Sequence, residues 1–228
     1  MRRALLILVV LIGLVAAGCG GSSNDGAATS TETRTDATDT TASADGCTDV
    51  DVPPARADGG ATAPKERLDP EKSYDLVVKT NCGTFTVALD LAKAPATSAS
   101  LVSLAKSGFY DATIFHRIVP GFVIQGGDPT QSGSGGPGYK TVDPPPADTK
   151  YTEGVVAMAK SQNEAPGTSG SQFFVVSGPD AATLTPDYAV VGKVTSGMET
   201  VDRIGTLGDA NQQPTRPVVV ESVTVEEQ

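Results

Sequence analysis

The 228-residue chain carries 27 acidic and 17 basic side chains, a single histidine, three cysteines and no tryptophan, for a net charge of −10. An acidic surface excludes electrostatic attachment to nucleic-acid phosphates or anionic lipid headgroups. One histidine and three cysteines do not furnish a metal site of Cys/His spacing.

At the N-terminus, Arg2 and Arg3 precede an apolar run over 4–17 that ends on the small residues Ala16, Ala17 and Gly18. That pattern predicts a secretion signal over 1–18, since a membrane-spanning helix needs roughly 20 apolar residues. Cys19 follows directly, and Ala16-Ala17-Gly18-Cys19 resembles a bacterial lipobox, with Ala16 where leucine is commoner. The expectation is a mature chain that begins at a lipidated Cys19 and is held outside the cytoplasm on the cell membrane. Cleavage removes two arginines and no acid, leaving a net charge of −12, so membrane attachment must come from the lipid. Residues 20–46 are Gly, Ser, Thr, Ala, Asp and Asn with Glu32, one arginine and no large apolar side chain, which predicts a disordered tether of roughly 30 Å root-mean-square span. A Pro- and Gly-rich lead-in over 47–70 then delivers the chain to one domain over 71–228, long enough for a single buried core.

If Cys19 carries lipid, Cys47 and Cys82 remain as an even pair in an oxidising compartment. A disulfide between them closes a loop of about 35 residues and contributes roughly 3–4 kcal/mol in the chain-entropy picture. Two unpaired thiols are the alternative.

Within the domain, Leu76 and Val78 alternate with Asp75 and Lys79, and Phe85, Val87 and Leu89 alternate with Thr84, Thr86 and Asp90, around Asn81-Cys82-Gly83. This predicts a β-hairpin. Ser98, Leu101, Val102, Ala105 and Phe109 recur at three- and four-residue spacing between Pro95 and Gly108, which predicts a short helix. Apolar runs at 114–119, 122–124, 155–159, 173–176, 189–194 and 218–225 read as strands, and 198–204 as a second short helix. Many short strands with two helices point to a mainly β, closed antiparallel barrel.

The densest chemistry lies in Phe115-His116-Arg117-Ile118-Val119-Pro120-Gly121-Phe122-Val123-Ile124-Gln125-Gly126-Gly127-Asp128. Strand alternation puts Phe115, Arg117 and Val119 on one face, where an arginine is costly unless it is paired or lines a cleft. Gly170-Ser171-Gln172-Phe173-Phe174 again sets a glutamine beside aromatics. The run 131–138 is read as a surface loop, because it lacks the Lys-Ser/Thr of a phosphate-binding loop.

These segments resemble the cyclophilin family, together with Ser103-Leu104-Ala105-Lys106-Ser107-Gly108-Phe109-Tyr110-Asp111, Gly135-Gly136-Pro137-Gly138-Tyr139, Met158-Ala159 and Gly192-Lys193-Val194. The likeness runs from about Tyr74 to Glu226. It implies an eight-stranded antiparallel barrel capped by two helices, and cis-trans isomerisation of X-Pro bonds without a cofactor. Carried over position by position, Arg117 matches the catalytic arginine and Gln125 the glutamine that orients it. Phe122, Val123, Phe174 and Leu184 match the proline pocket. Ala159, Lys160 and Gln172 fall where the family holds the substrate backbone, Lys160 through its main chain. Tyr188 stands where many members have a histidine, Thr183 where they have a tryptophan, and Val123 where methionine is common; the missing indole implies weak cyclosporin binding. His116 is read as structural, since the reaction transfers no proton. The partners implied are proline-containing peptides and unfolded secreted proteins, with the chain a monomer that binds no nucleic acid. A non-catalytic module that binds Pro segments is the alternative, and an arginine beside the pocket favours the enzyme. A single small barrel argues against a solute-binding lipoprotein.

Overall fold

The computed structural model describes residues 46–228. The signal over 1–18, Cys19 and the tether up to residue 45 lie outside the described residues. The predicted hairpin forms as β1 (Tyr74–Thr80) and β2 (Gly83–Leu89), with Leu76 opposite Val87 and Val78 opposite Phe85. These four side chains are buried, whereas Lys79 faces solvent. Alternation of period two is thus met by a sheet with one face inward.

Helix α1 (Pro95–Lys106) begins on its proline, and the Asp143 carboxylate accepts the Thr97 N–H at 2.7 Å. An acid from a distant loop therefore serves the helix start that Ala94 cannot cap. After it come β3 (Thr113–Ile114), β4 (Arg117–Val119), β5 (Val123–Gly126), β6 (Thr141–Val142), β7 (Val155–Met158), β8 (Thr168–Ser169) and β9 (Phe173–Val176). A 3₁₀ turn (Pro179–Thr183), β10 (Val190–Ser196), α2 (Met198–Gly205) and β11 (Val219–Glu227) complete the order.

The main sheet is antiparallel and runs β3-β11-β1-β2-β10-β7-β9-β5-β4, with β6 and β8 paired separately. Its two edge strands are separated in sequence only by Phe115 and His116. Chain continuity, helped by the Ile114–Asp128 bridge, brings the curled sheet's ends together. Among the described residues the main sheet has nine strands where eight were expected, because the run 114–119 is broken into β3 and β4. Phe115 turns inward at the break, against Phe85 and Phe173 with ring centroids 6.5 and 6.0 Å away. It therefore does not share a face with Arg117, as plain alternation predicted; Ile118 is buried while Arg117 and Val119 are half-buried.

Strands β5, β7, β9 and β10 are covered on both faces. Ile124, Val156, Met158, Phe173, Val175 and Val191 join the main core with residues of α1 and α2, while Val123, Ala157, Phe174, Val176 and Val190 form a second apolar cluster. Double burial explains why 155–158 and 173–176 read as unbroken apolar runs.

The lead-in lies along this domain. Cys47 is disulfide-bonded to Cys82, Thr48 and Asn81 exchange hydrogen bonds, and Arg56 donates from its main chain to the Pro129 carbonyl. Replacing both Cys47 and Cys82 by serine should cost about 3–4 kcal/mol and lower Tm by on the order of 10 °C. An unchanged Tm in thermal denaturation would show that the cross-link constrains nothing.

Candidate active site

The pairing register builds a row across the second apolar face. Arg117 on β4 stands opposite Gln125 on β5, Gln125 opposite Phe174 on β9, and Phe174 opposite Ala157 on β7. Polarity therefore falls from a guanidinium through an amide to an aromatic ring within three strands.

The guanidinium is gripped from two sides. Its Nη1 donates to Gln125 Oε1 at 3.3 Å and its Nε to Gln212 Oε1 at 2.8 Å, while the Phe122 ring lies 5.9 Å from its carbon. Partial burial draws the Arg117 pKa below its ordinary value by disfavouring the charged form, with Tyr188 acting in the opposite direction. Gln125 Nε2 in turn donates to Gln172 Oε1 at 3.1 Å, and Gln172 Nε2 to the Gly135 carbonyl at 2.9 Å.

Beside Arg117 opens a cavity of about 290 Å³. Phe122, Val123, Phe174, Leu184 and Tyr188 supply its apolar walls, Arg117 and Gln125 its polar edge, and Ala159 and Lys160 the remainder. Nine of the ten residues picked out from sequence thus meet at one cavity. The tenth, Gln172, lines an adjoining cavity of about 240 Å³ that shares Gln125, Ala159 and Lys160 with the first.

Local features of the sequence hold these walls. A Cβ on Gly178 would sit 2.4 Å from the Gly121 main chain, a distance only glycine tolerates. That approach lets Ser177 N–H reach the Phe122 carbonyl at 3.0 Å and sets the 3₁₀ turn carrying Leu184 beside the β4–β5 turn carrying Phe122. Thr183 closes the 3₁₀ turn through its hydroxyl to the Asp180 carbonyl at 2.7 Å. Tyr188 is wedged edge-on against Phe174 and Tyr151, at 5.4 and 6.0 Å. Lys160 has a side chain only 3% exposed; its ammonium pairs with Asp187 at 2.9 Å, donates to the Glu164 carbonyl at 3.0 Å and lies 5.8 Å from the Tyr188 ring. Its charge is thereby committed within the protein.

Sequence reasoning missed Gln212. It occupies a left-handed conformation, φ +65°, in a turn where Asp209 Oδ1 accepts the N–H groups of Asn211 and Gln213 at 2.8 Å each. The turn is locked to β4 by Ile118 N–H to the Gln212 carbonyl at 3.0 Å. Asp209 and Asn211 signalled a turn, but no periodicity connects 212 with 117.

His116 lies outside both cavities. Its ring is buried, and neither nitrogen meets a hydrogen-bond partner among the described residues. The site therefore joins a pocket sized for a small apolar ring to fixed N–H donors, an arrangement that can bind such a ring and stabilise electron density forming beside it.

The family model described as cyclophilin type peptidyl-prolyl cis-trans isomerase/CLD matches residues 75–225. Peptidyl-prolyl cis-trans isomerase A of Mycobacterium tuberculosis is 40% identical over 165 residues, covering 64% of this chain and 88% of the relative. Peptidyl-prolyl cis-trans isomerase-like 1 of Aspergillus oryzae is 42% identical over 135 residues, 58% of this chain and 81% of the relative. A crystal structure of a Cryptosporidium parvum cyclophilin-type isomerase, determined in the presence of the dipeptide Ala-Pro, superposes with a TM-score of 0.61 at 30% identity. It covers 67% of this chain and 98% of the other.

Desolvation holds the His116 pKa below 6.5, with the Asp128 charge opposing and Arg117 reinforcing it. A histidine kept neutral when folded adds full stability above its unfolded pKa. That stability falls as the pH drops below about 6.5, because the unfolded chain takes up the proton more readily than the folded one. Between pH 7.5 and 5.5 the loss should reach up to about 1.4 kcal/mol, and His116→Phe should remove that part of the slope in urea titrations. An equal slope in both proteins would contradict this assignment.

Proposed function

The chain belongs to the cyclophilin-type peptidyl-prolyl cis-trans isomerases, and on that footing we propose how its residues divide the work and where they do it. An X-Pro amide isomerises slowly because resonance must be lost, at a barrier of roughly 18–20 kcal/mol. No bond is made or broken and no proton moves, so the catalyst has only to bind the twisted amide better than either planar isomer.

In this reading the proline ring enters the cavity walled by Phe122, Val123, Phe174 and Leu184, and Arg117 is aimed at the imide nitrogen. As the amide twists, that nitrogen regains its lone pair and becomes a hydrogen-bond acceptor for the guanidinium. Gln125 keeps the guanidinium in register. Ala159 and Gln172 meet the peptide backbone along the adjoining cavity, and Tyr188 closes the rim. The observation that carries the reading is the doubly held Arg117 at the edge of an apolar cavity. A passive binder of Pro segments gains nothing from that arrangement. The Ala-Pro dipeptide used with the Cryptosporidium relative is a substrate fragment of the chemistry proposed here.

We further infer that the enzyme acts outside the cytoplasm on unfolded secreted or envelope proteins, tethered through lipid on Cys19. The apolar signal running up to Cys19 and the polar run to residue 46 support it. The Cys47–Cys82 disulfide is in keeping with an oxidising compartment.

In a protease-coupled assay on a Pro-containing peptide, Arg117→Ala should lose about 10²–10³-fold in kcat/KM, the scale of a lost electrostatic donor. Wild-type activity in that variant would remove Arg117 from the mechanism, and a wild-type chain without activity would return the site to passive binding. For the anchor, Cys19→Ser protein should leave the membrane fraction, and its retention there would overturn lipidation.

A further inference from the structure

The hydrogen-bond chain that ends on Arg117 does not begin at Gln172. Gln172 Nε2 donates to the carbonyl of Gly135, and the N–H of the same peptide unit, on Gly136, donates to Asp58 Oδ1 at 2.8 Å. A peptide unit is planar, so whatever fixes the Gly136 N–H also fixes the Gly135 carbonyl. Asp58 belongs to the segment 47–70, outside the part of the chain matched by the family model.

Glycines flank this unit, and a Gly-Gly peptide plane turns over at little steric cost. The loop around it is held from two directions. From inside the domain, Asp128 accepts the N–H groups of Gly133 and Gly135 at 2.6 and 3.2 Å. From outside, the N-terminal strap accepts the Gly136 N–H on Asp58, gives its Gly59 N–H to the Gly136 carbonyl at 2.9 Å and its Ala61 N–H to the Pro137 carbonyl at 3.0 Å. The strap approaches so closely that a Cβ on Gly138 would stand 3.1 Å from the Gly59 Cα, with both residues at positive φ. The Gln131 side-chain amide ties the beginning of the same loop to the Pro53 carbonyl at 2.8 Å.

We propose that Asp58 is a positioning residue of the isomerase site. Its carboxylate locks the Gly135–Gly136 peptide plane, and the locked carbonyl orients Gln172, which orients Gln125 and through it the Arg117 guanidinium. The strap is then a working part of this enzyme, anchored at one end by the Cys47–Cys82 bond and at the other by β1. The inference rests on the isomerase reading of Arg117 and Gln125.

The test is a double-mutant cycle in the full chain, read as kcat/KM on an Ala-Pro peptide. Asp58→Ala should lower the rate about threefold to tenfold, the range of one lost hydrogen bond, with Tm nearly unchanged because the residue is exposed. Asp58→Asn keeps an acceptor oxygen and should restore most of the rate. In a Gln172→Ala background, Asp58→Ala should add little, because the chain is already cut. Full activity in Asp58→Ala, or the same loss in both backgrounds, would overturn the inference. An inactive wild type would instead defeat the isomerase reading itself.

Discussion

A guanidinium at the edge of an apolar patch surrenders part of its water, and it is useful there only if its direction is fixed. Arg117 meets both conditions through Gln125 on one side and Gln212 on the other. Much of the local architecture serves that grip. Antiparallel register places Gln125 directly across from Arg117, and the Asp209 turn presents Gln212 at a backbone conformation rare for a side-chain-bearing residue. Strain of that kind persists only where surrounding contacts over-determine it, here the Asp209 carboxylate and the Ile118 N–H.

The barrel contributes stiffness through its double-sided strands. Packing β7 and β9 on both faces means that the cavity walls are the backs of core residues, as with Phe174 beside Phe173 and Val123 beside Ile124. A pocket built on such strands has little freedom to deform. It can favour a twisted amide over a planar one because it does not follow the substrate back to planarity.

Elements with a single clear period were legible in the sequence. The first hairpin follows directly from alternation and the first helix from three- and four-residue spacing, and the resemblance to known motifs pointed to residues that the fold gathers at one cavity. Phe115 was misassigned because a break at 115–116 resets the alternation, and no local residue announces that break. Gln212 lies 95 residues from its partner, and a contact of that separation leaves no mark in a local pattern. Asp58 was hidden for a different reason: proline- and glycine-rich composition signals the lack of regular structure, yet the Asp58 carboxylate and main-chain groups of that segment are paired to a loop nearly 80 residues away.

The mechanism ultimately depends on direction as well as charge. Lysine at 117 keeps the positive charge but loses the planar fork that two glutamines hold. Exchange NMR on an Ala-Pro peptide, recording the isomerisation rate on saturated enzyme alongside Kd, separates the two contributions for Arg117→Lys. The account predicts a Kd within about threefold of wild type, since the apolar cavity is intact, and a rate lower by on the order of 10²-fold. A rate that falls only in proportion to weakened binding would contradict it.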